Sequence, residues 1–147
     1  MYGVSKVFNE LLGTYYRDKF GVDFRCIRYP GVISSAIFGF NGTAYYSTEM
    51  FFEALKHKKY ACWLREDQSL PMIYIDECVD ATIKLLKADQ SQLSRTTYNL
   101  AGISFTPKEL AAEVEKLIPG AKISYEPCPR RSPIADSWPK SIDDSNA

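Results

Sequence analysis

Helical and strand patterns alternate along this 147-residue chain, and short connections join them. Apolar spacing and helix-start signals predict four helices, at Tyr2 to Phe20, Ala44 to Lys56, Glu77 to Lys87 and Ala111 to Ile118. Runs of β-forming residues predict five strands, at Val22 to Tyr29, Tyr60 to Leu64, Leu70 to Ile75, Thr97 to Ala101 and Lys122 to Tyr125. This alternation is typical of an α/β domain, here one whose sheet is incomplete.

Local signals refine several of these boundaries. Gly21 predicts the end of the first helix, and Asp76 predicts an N-cap. Thr106-Pro107-x-Glu109 predicts a capping box with a proline at the first helical position. Prolines at positions 127, 129 and 133 predict an irregular segment, and residues 142 to 147 resemble the start of a further helix.

The first predicted helix has apolar side chains at three-to-four spacing, which predicts a broad buried stripe. The stripe comprises Val4, Val7, Phe8, Leu11, Leu12, Tyr15 and Tyr16. Tyr2, Lys6 and Asn9 lie away from its centre. These three residues are therefore the ones on this helix that could face a pocket.

The charge balance and apolar content exclude several classes of partner. The chain has 18 basic and 18 acidic residues, so no basic field exists to attract nucleic acid or anionic lipid. Hydrophobic residues make up 46% of the chain, which is enough for a packed core, but no apolar run approaches the roughly 20 residues that span a bilayer. We expect neither a nucleic-acid partner nor a membrane.

The cysteines and the histidine do not form a recognisable metal or nucleophile motif. Cys26, Cys62, Cys78 and Cys128 are far apart, so we expect no metal site and mainly buried free thiols in a reducing compartment. His57 lies in a run of lysines, where a solvated helix end is the simplest interpretation.

The pattern Tyr-x-x-x-Lys, which pairs a phenol with an ammonium group one helical turn away, occurs twice. The pairs are Tyr2 with Lys6 and Tyr15 with Lys19, and the thirteen positions between them correspond to roughly 220° around a helix. At most one pair can face a given pocket. We favour Tyr2 and Lys6, because a strand and then Pro30-Gly31 follow that helix.

Dinucleotide binding normally also needs a glycine-rich loop, which lets the backbone approach a pyrophosphate at a helix N-terminus. Neither G-x-G-x-x-G nor G-x-x-G-x-x-G occurs in the chain. We therefore expect the chain to be the second half of an enzyme and to hold a nucleotide poorly by itself. On this expectation the glycine loop, a third catalytic hydroxyl and any targeting signal lie upstream.

Six segments resemble the L-threonine 3-dehydrogenases of the extended short-chain dehydrogenase/reductase family, which is similar to the NAD-dependent epimerases and dehydratases. They are Tyr2 to Lys6, Arg28 to Ser34, Leu70 to Asp76, Thr97 to Asn99, Ser104 to Leu110 and Ile134 to Pro139. The last includes Ala-Asp-Ser-Trp-Pro, which resembles the threonine enzymes specifically. One departure is Tyr45, which stands where the family pattern Gly-Thr-Thr-Asp-Tyr-Ala has an acid.

The resemblance implies that NAD oxidises the L-threonine 3-hydroxyl to give 2-amino-3-ketobutyrate. Tyr2 would accept the alcohol proton, and Lys6 would favour the phenolate and hold the nicotinamide ribose. The resemblance further implies that the nicotinamide pocket is lined by Pro30, Gly31 and Val32. Thr43 and Trp138 would surround the substrate, although core packing alone would also account for Trp138.

The resemblance also implies a division of the chain and a setting for it. Residues 1–33 would be the remnant of a Rossmann domain, and residues 34–147 mainly a substrate-binding lobe, with a strand near 97–101 returning to the Rossmann sheet. The enzyme would be a homodimer joined through the first helix, in the cytoplasm or the mitochondrial matrix. Two alternatives stay open: a fragment of a nucleotide-sugar epimerase or dehydratase, and a non-catalytic remnant.

Overall fold

The computed structural model describes residues 1–36 and 45–147, and its helices and strands alternate. The helices are α1 (Tyr2–Phe20), α2 (Tyr46–His57), α3 (Ile75–Lys87), α4 (Pro107–Leu117) and α5 (Ser132–Asp136), with a 3₁₀ turn at Gln90–Gln92. The strands are β1 (Cys26–Arg28), β2 (Gly31–Ile33), β3 (Lys59–Cys62), β4 (Leu70–Tyr74), β5 (Thr97–Asn99), β6 (Ile103–Phe105) and β7 (Lys122–Tyr125). The predicted α/β fold is confirmed.

The chain forms two compact units, and the first is assembled from three separate segments. These are Met1–Tyr29, Asp76–Leu100 and Asp143–Ala147. Its sheet pairs β1 with β5 in parallel, with Cys26 opposite Thr97. Helix α3 belongs to this unit.

Helix α1 contacts the rest of the first unit through small and polar side chains. Gly13 is the buried residue of α1, and the Phe24 ring occupies the space where a Cβ on Gly13 would lie. The Thr14 hydroxyl lies 3.1 Å from that of Thr96. Arg28 donates two hydrogen bonds, of 2.8 and 2.6 Å, to the Glu10 carboxylate, and these bonds lower the pKa of Glu10.

The predicted burial of the α1 apolar stripe is therefore wrong within this chain. Its seven side chains are between 39% and 68% exposed. The reason is geometric: the face that carries Glu10, Gly13 and Thr14 packs inward, so the apolar face points away from the contacts that these residues make. The stripe remains an exposed apolar surface on a folded helix.

The second unit comprises Pro30–Ile75 and Ala101–Ile142. One of its sheets has the order β2-β4-β6, with β2 parallel and β6 antiparallel to the central strand β4. The other pairs β3 with β7 in parallel. Helices α2, α4 and α5 also lie in this unit.

A single hydrophobic core organises the second unit. Fully buried side chains from α2, β4 and α4 meet there, and the largest include Tyr46, Met50, Leu70, Met72 and Val114. Trp63 and Trp138 pack against this cluster from its edge. Burial of side chains of this size contributes roughly 1.5–3 kcal/mol each, which makes this core the main source of stability for the unit.

Several predicted boundaries are confirmed. Helix α1 has the predicted limits, and Gly21 ends it in the left-handed conformation, with φ 70°. The Thr106 hydroxyl accepts from the Glu109 backbone N–H, and the Glu109 carboxylate accepts from the Thr106 N–H, so the capping box is complete. Strand β7 also has its predicted limits.

Other local predictions are wrong for identifiable reasons. The predicted strand at 22–29 is shorter, and the chain after it continues into β2, which belongs to a different sheet. Helix α3 begins at Ile75, so Asp76 lies within its first turn. The proline segment contains α5, because Pro133 lies in the first turn, where a missing N–H is tolerated. Residues 142–147 form no helix.

Candidate active site

Tyr2 and Lys6 occupy the first turns of α1, where the helix spacing brings them together. The Lys6 Nζ lies 5.2 Å from the centroid of the Tyr2 ring. The Tyr2 side chain is 77% exposed, and its backbone carbonyl accepts a 2.8 Å hydrogen bond from the Ser5 hydroxyl. A phenol and an ammonium group are thus held side by side on an accessible helix end.

The second Tyr-x-x-x-Lys pair is also assembled. The Lys19 Nζ donates a 2.7 Å hydrogen bond to the Tyr15 hydroxyl and lies 5.2 Å from the ring centroid. The Tyr15 ring makes edge contacts with Tyr16 and Phe20, at centroid distances of 5.9 and 6.0 Å. Tyr15 therefore belongs to an aromatic cluster on the apolar face, and the assignment of catalysis to Tyr2 stays a prediction.

Pro30, Gly31 and Val32 form the turn into β2 and its first residues. Pro30 is buried, whereas Gly31 and Val32 are half-buried. The strand is held by parallel pairing with β4, in which Gly31 lies opposite Met72 and Val32 opposite Ile73. The predicted cofactor-binding segment is therefore a fixed strand edge on the hydrophobic core of the second unit.

Of the two predicted substrate residues, Trp138 lies within the described part of the chain and Thr43 does not. Trp138 is half-buried against the core of the second unit, and its backbone N–H bonds to the Ala135 carbonyl at 3.2 Å. Thr43 lies outside the described residues. Tyr45, the predicted departure from the family pattern, is 37% exposed at the start of α2.

A polar network behind Trp138 was missed by the sequence reasoning. It joins Arg65 and Gln68, in the turn before β4, to Ser132 and Asp136 at the two ends of α5. Hydrogen bonds from Arg65 and Gln68 lower the pKa of Asp136 to about 2. The sequence signal that could have predicted this network is Asp136, which belongs to the Ala-Asp-Ser-Trp-Pro run.

Two buried polar groups lie in or against the core of the second unit. The Tyr46 hydroxyl and the Trp63 indole N–H have no hydrogen-bond partner among the described residues. Burial raises the pKa of Tyr46, so this phenol stays neutral. The Arg131 guanidinium carbon lies 5.2 Å from the centroid of the Trp63 ring, which places one positive charge beside these aromatic residues.

A cavity of about 450 Å³ lies in the first unit, between α3 and the β1–β5 pair. Its lining includes Lys84, Tyr98 and Asn99. Within residues 1–36 and 45–147, none of the predicted site residues contributes to that lining. This cavity is therefore separate from the predicted site.

The four thiols are free but differ in burial. Cys62 and Cys78 are buried, and burial raises the pKa of Cys78 and raises that of Cys62 to about 11. Backbone hydrogen bonding by Arg131 and Arg130 lowers the pKa of the Cys128 thiol. Cys26 is half-buried rather than buried.

We expect Cys128 to alkylate first, at least about tenfold faster than Cys62 or Cys78, because the thiolate is the nucleophile. The measurement is iodoacetamide labelling near neutral pH with peptide mass spectrometry. Cys128→Ser should remove the fast phase and leave the slow ones. Equal labelling of Cys62 and Cys128 would contradict this assignment.

In the part of the chain that the structure describes, no three His, Cys, Asp or Glu side chains are grouped to hold a metal ion. None of the helices in residues 1–36 and 45–147 has both the length and the apolar content needed to cross a bilayer.

The chain is similar to named proteins along its whole length. An L-threonine 3-dehydrogenase from Bos taurus, named as mitochondrial, is 49% identical over 147 residues, which are 100% of this chain and 39% of that protein. An uncharacterized epimerase/dehydratase from Staphylococcus haemolyticus is 46% identical over 99% of this chain and 46% of its own length. The crystal structure of L-threonine dehydrogenase from Phytophthora infestans superposes with a TM-score of 0.94 and 51% identity, covering 99% of this chain and 47% of that one.

This chain therefore spans less than half the length of these relatives. The family model described as "NAD dependent epimerase/dehydratase family" matches residues 1–101, well over half of the chain. With the α/β fold, the Tyr2–Lys6 pair and this match, the chain belongs to the NAD dependent epimerase/dehydratase family.

Proposed function

We propose that this chain is the C-terminal part of an L-threonine 3-dehydrogenase, which oxidises the 3-hydroxyl of L-threonine to a ketone with NAD. The observation that carries the proposal is the Tyr2–Lys6 pair, with the ammonium 5.2 Å from the phenol ring, in a chain 49% identical to a protein of that name. On this proposal the product is 2-amino-3-ketobutyrate, and the chain has no activity by itself.

Residues of each unit, taken separately, have the chemistry to hold the nicotinamide end of the cofactor. Across residues 1–36 and 45–147, Lys6 forms no salt bridge, so its ammonium group is available to a ribose hydroxyl. Pro30, Gly31 and Val32 offer a fixed strand edge of the kind that contacts a carboxamide through its backbone. NAD, when bound, supplies the hydride acceptor.

Residues of the chain would carry out proton transfer and contact the substrate. The Tyr2 phenolate accepts the proton of the substrate hydroxyl, and the Lys6 charge favours that phenolate because opposite charges a few ångström apart stabilise each other. Trp138 supplies an apolar wall for the substrate, and Thr43 supplies a hydroxyl contact. Tyr45 cannot pair with the substrate ammonium as the family acid would.

The proposal is tested first on the chain itself, by calorimetric titration with NAD and an absorbance assay for NADH with L-threonine. We expect neither binding nor turnover. We then graft the chain in place of the matching 47% of the Phytophthora infestans protein, which restores the missing portion. NADH formation with threonine by this chimaera supports the proposal, whereas a folded, NAD-binding chimaera that leaves threonine unchanged contradicts it.

The same assay separates the two alternatives. A nucleotide-sugar epimerase or dehydratase is favoured by the Staphylococcus haemolyticus relative, which carries only the broader name. Such a chimaera would act on a nucleotide sugar without net release of NADH. A non-catalytic remnant would restore neither reaction.

We propose that the exposed apolar face of α1 joins two copies of the assembled enzyme. Leu11, at the middle of that face, is 67% exposed. Leu11→Glu in the chimaera is expected to convert a dimer into a monomer, because it places a charge in an apolar contact. Asn9→Glu, which adds the same charge on the other side of the helix, is the matched control, and sedimentation velocity is the measurement. A Leu11→Glu protein that remains dimeric would exclude this face.

The name of one relative supports a proposal for the compartment. The bovine protein is named as mitochondrial. We propose the mitochondrial matrix or the cytoplasm, both of which are reducing and suit four free thiols.

A further inference from the structure

Helix α5 is too short to be stable without tertiary contacts. It has five residues, and isolated helices below about 12–15 residues are marginal in water. Trp138 lies two residues after its last residue, and the Trp138 backbone N–H donates to the Ala135 carbonyl. The position of the Trp138 ring therefore depends on whatever holds α5 in place.

The first part of the holding contact is an ion pair of two parallel hydrogen bonds. Arg65 Nη1 donates to Asp136 Oδ2, and Arg65 Nη2 donates to Asp136 Oδ1, both at 2.8 Å. This two-bond geometry fixes direction as well as distance, which a single-point contact between an ammonium and a carboxylate would not do. It attaches the C-terminal end of α5 to the turn before β4.

The second part is the buried amide of Gln68, which is only 5% exposed. Its Nε2 donates to the Ser132 carbonyl at 2.9 Å and to Asp136 Oδ1 at 2.8 Å. Its Oε1 accepts from the Arg65 backbone N–H at 2.9 Å and from the Ser132 hydroxyl at 3.0 Å. All four hydrogen-bonding positions of the amide are thus used, three of them by α5 and one by the Arg65 backbone in the turn before β4.

Together, Arg65, Gln68, Ser132 and Asp136 form what we term the α5 clamp. Both the first and the last residue of α5 are bound by it, so the helix can neither slide nor rotate without losing several hydrogen bonds. A purely apolar contact of the same area would leave both movements open, since hydrophobic contacts are not directional.

We propose that Arg65, Gln68 and Asp136 are positioning residues, which hold Trp138 in place beside the substrate through α5. The substrate contact of Trp138 itself rests on the proposed function. The positioning does not, because it can be read from the environment of the Trp138 ring without any turnover.

The test uses the full chain labelled with 5-fluorotryptophan and observed by ¹⁹F NMR. The chain has two tryptophans, Trp63 and Trp138, so two resonances are expected, and Trp138→Phe assigns them. In Asp136→Ala and in Gln68→Ala, the Trp138 resonance is expected to move most of the way to its position in the denatured chain. The Trp63 resonance is expected to stay clearly separated from the position that Trp63 has in the denatured chain.

Two further variants separate positioning from general loss of stability. Asp136→Asn keeps one acceptor oxygen, for Gln68 and Arg65 Nη2, but loses the charge and the second acceptor, so its shift should lie between those of the wild type and Asp136→Ala. Glu66→Ala breaks the neighbouring exposed ion pair with Lys108, whose atoms lie 3.4 Å apart, without touching α5, and should leave Trp138 unchanged.

The proposal is overturned if Trp138 keeps its native resonance in both clamp variants. It is equally overturned if Glu66→Ala shifts Trp138 as far as Asp136→Ala does, or if Trp63 and Trp138 collapse together in every clamp variant including Asp136→Asn. None of these outcomes depends on threonine being the substrate, so failure of the clamp and failure of the proposed function remain distinguishable.

Discussion

Replacing Tyr2 with phenylalanine is expected to lower threonine turnover by about 10²–10⁴-fold, the usual contribution of a positioned acid or base. The background is the chimaera with the Phytophthora infestans protein, and the measurement is the initial rate of NADH formation. Residue Tyr2 is 77% exposed, so removing its hydroxyl should change the stability of the fold little. NAD affinity, measured by calorimetry, should change little, because Lys6 remains.

The matched control for this prediction is already present in the chain. Tyr15→Phe makes the same chemical change in the other Tyr-x-x-x-Lys pair, where the hydroxyl accepts a 2.7 Å hydrogen bond from Lys19. We expect nearly full turnover from it. If the two results were exchanged, the proton acceptor would be Tyr15, and if both variants kept full turnover, neither pair would be catalytic.

Gly102→Ala is expected to reduce the free energy of unfolding by about 3 kcal/mol, at the upper end of the range for inserting an atom into packed structure. A Cβ at this position would lie 2.3 Å from the Met72 carbonyl oxygen and 3.0 Å from both the Cα and the Cβ of Ile73. Backbone atoms of the central strand β4 cannot turn aside as a flexible side chain can. The strand pair β4–β6 would have to separate.

The comparison for Gly102 is the same substitution at Gly3, where a Cβ would meet nothing within 4 Å. Gly3 lies within α1, so alanine there should be neutral or should stabilise by up to about 1 kcal/mol. Urea unfolding of both variants gives the difference. Equal stabilities for the two alanine variants would mean that β4 and β6 do not approach each other as closely as this geometry requires.

The elements that were predictable are those specified by neighbouring residues. The limits of α1 follow from an apolar period and Gly21, and the start of α4 follows from Thr106, Pro107 and Glu109. These signals act over three or four residues, through caps and turns. Such caps and turns form independently of contacts with distant parts of the chain.

The features that were missed or wrong depend on contacts between distant residues. Strand β6 exists because Ile103 pairs with Met72, and α5 exists because Arg65 and Gln68 bind its two ends. The prediction that the α1 stripe is buried was wrong for the same reason. A three-to-four apolar period shows that a helix has an apolar face, but it does not show which face packs against the rest of the chain. In the candidate site, the Tyr2–Lys6 contact was predictable from spacing, whereas the network behind Trp138 was not.

The discontinuity of both units has a consequence for the order of events during synthesis. Strand β1 emerges early but has to wait for β5, and the first unit also includes Asp143–Ala147. The second unit runs to Ile142. Neither unit can therefore finish folding on the ribosome before the last few residues of this chain have been translated. Pairing over such separations in sequence is slow, so apolar surface in the nascent chain should stay open to chaperones until those residues have emerged from the ribosome.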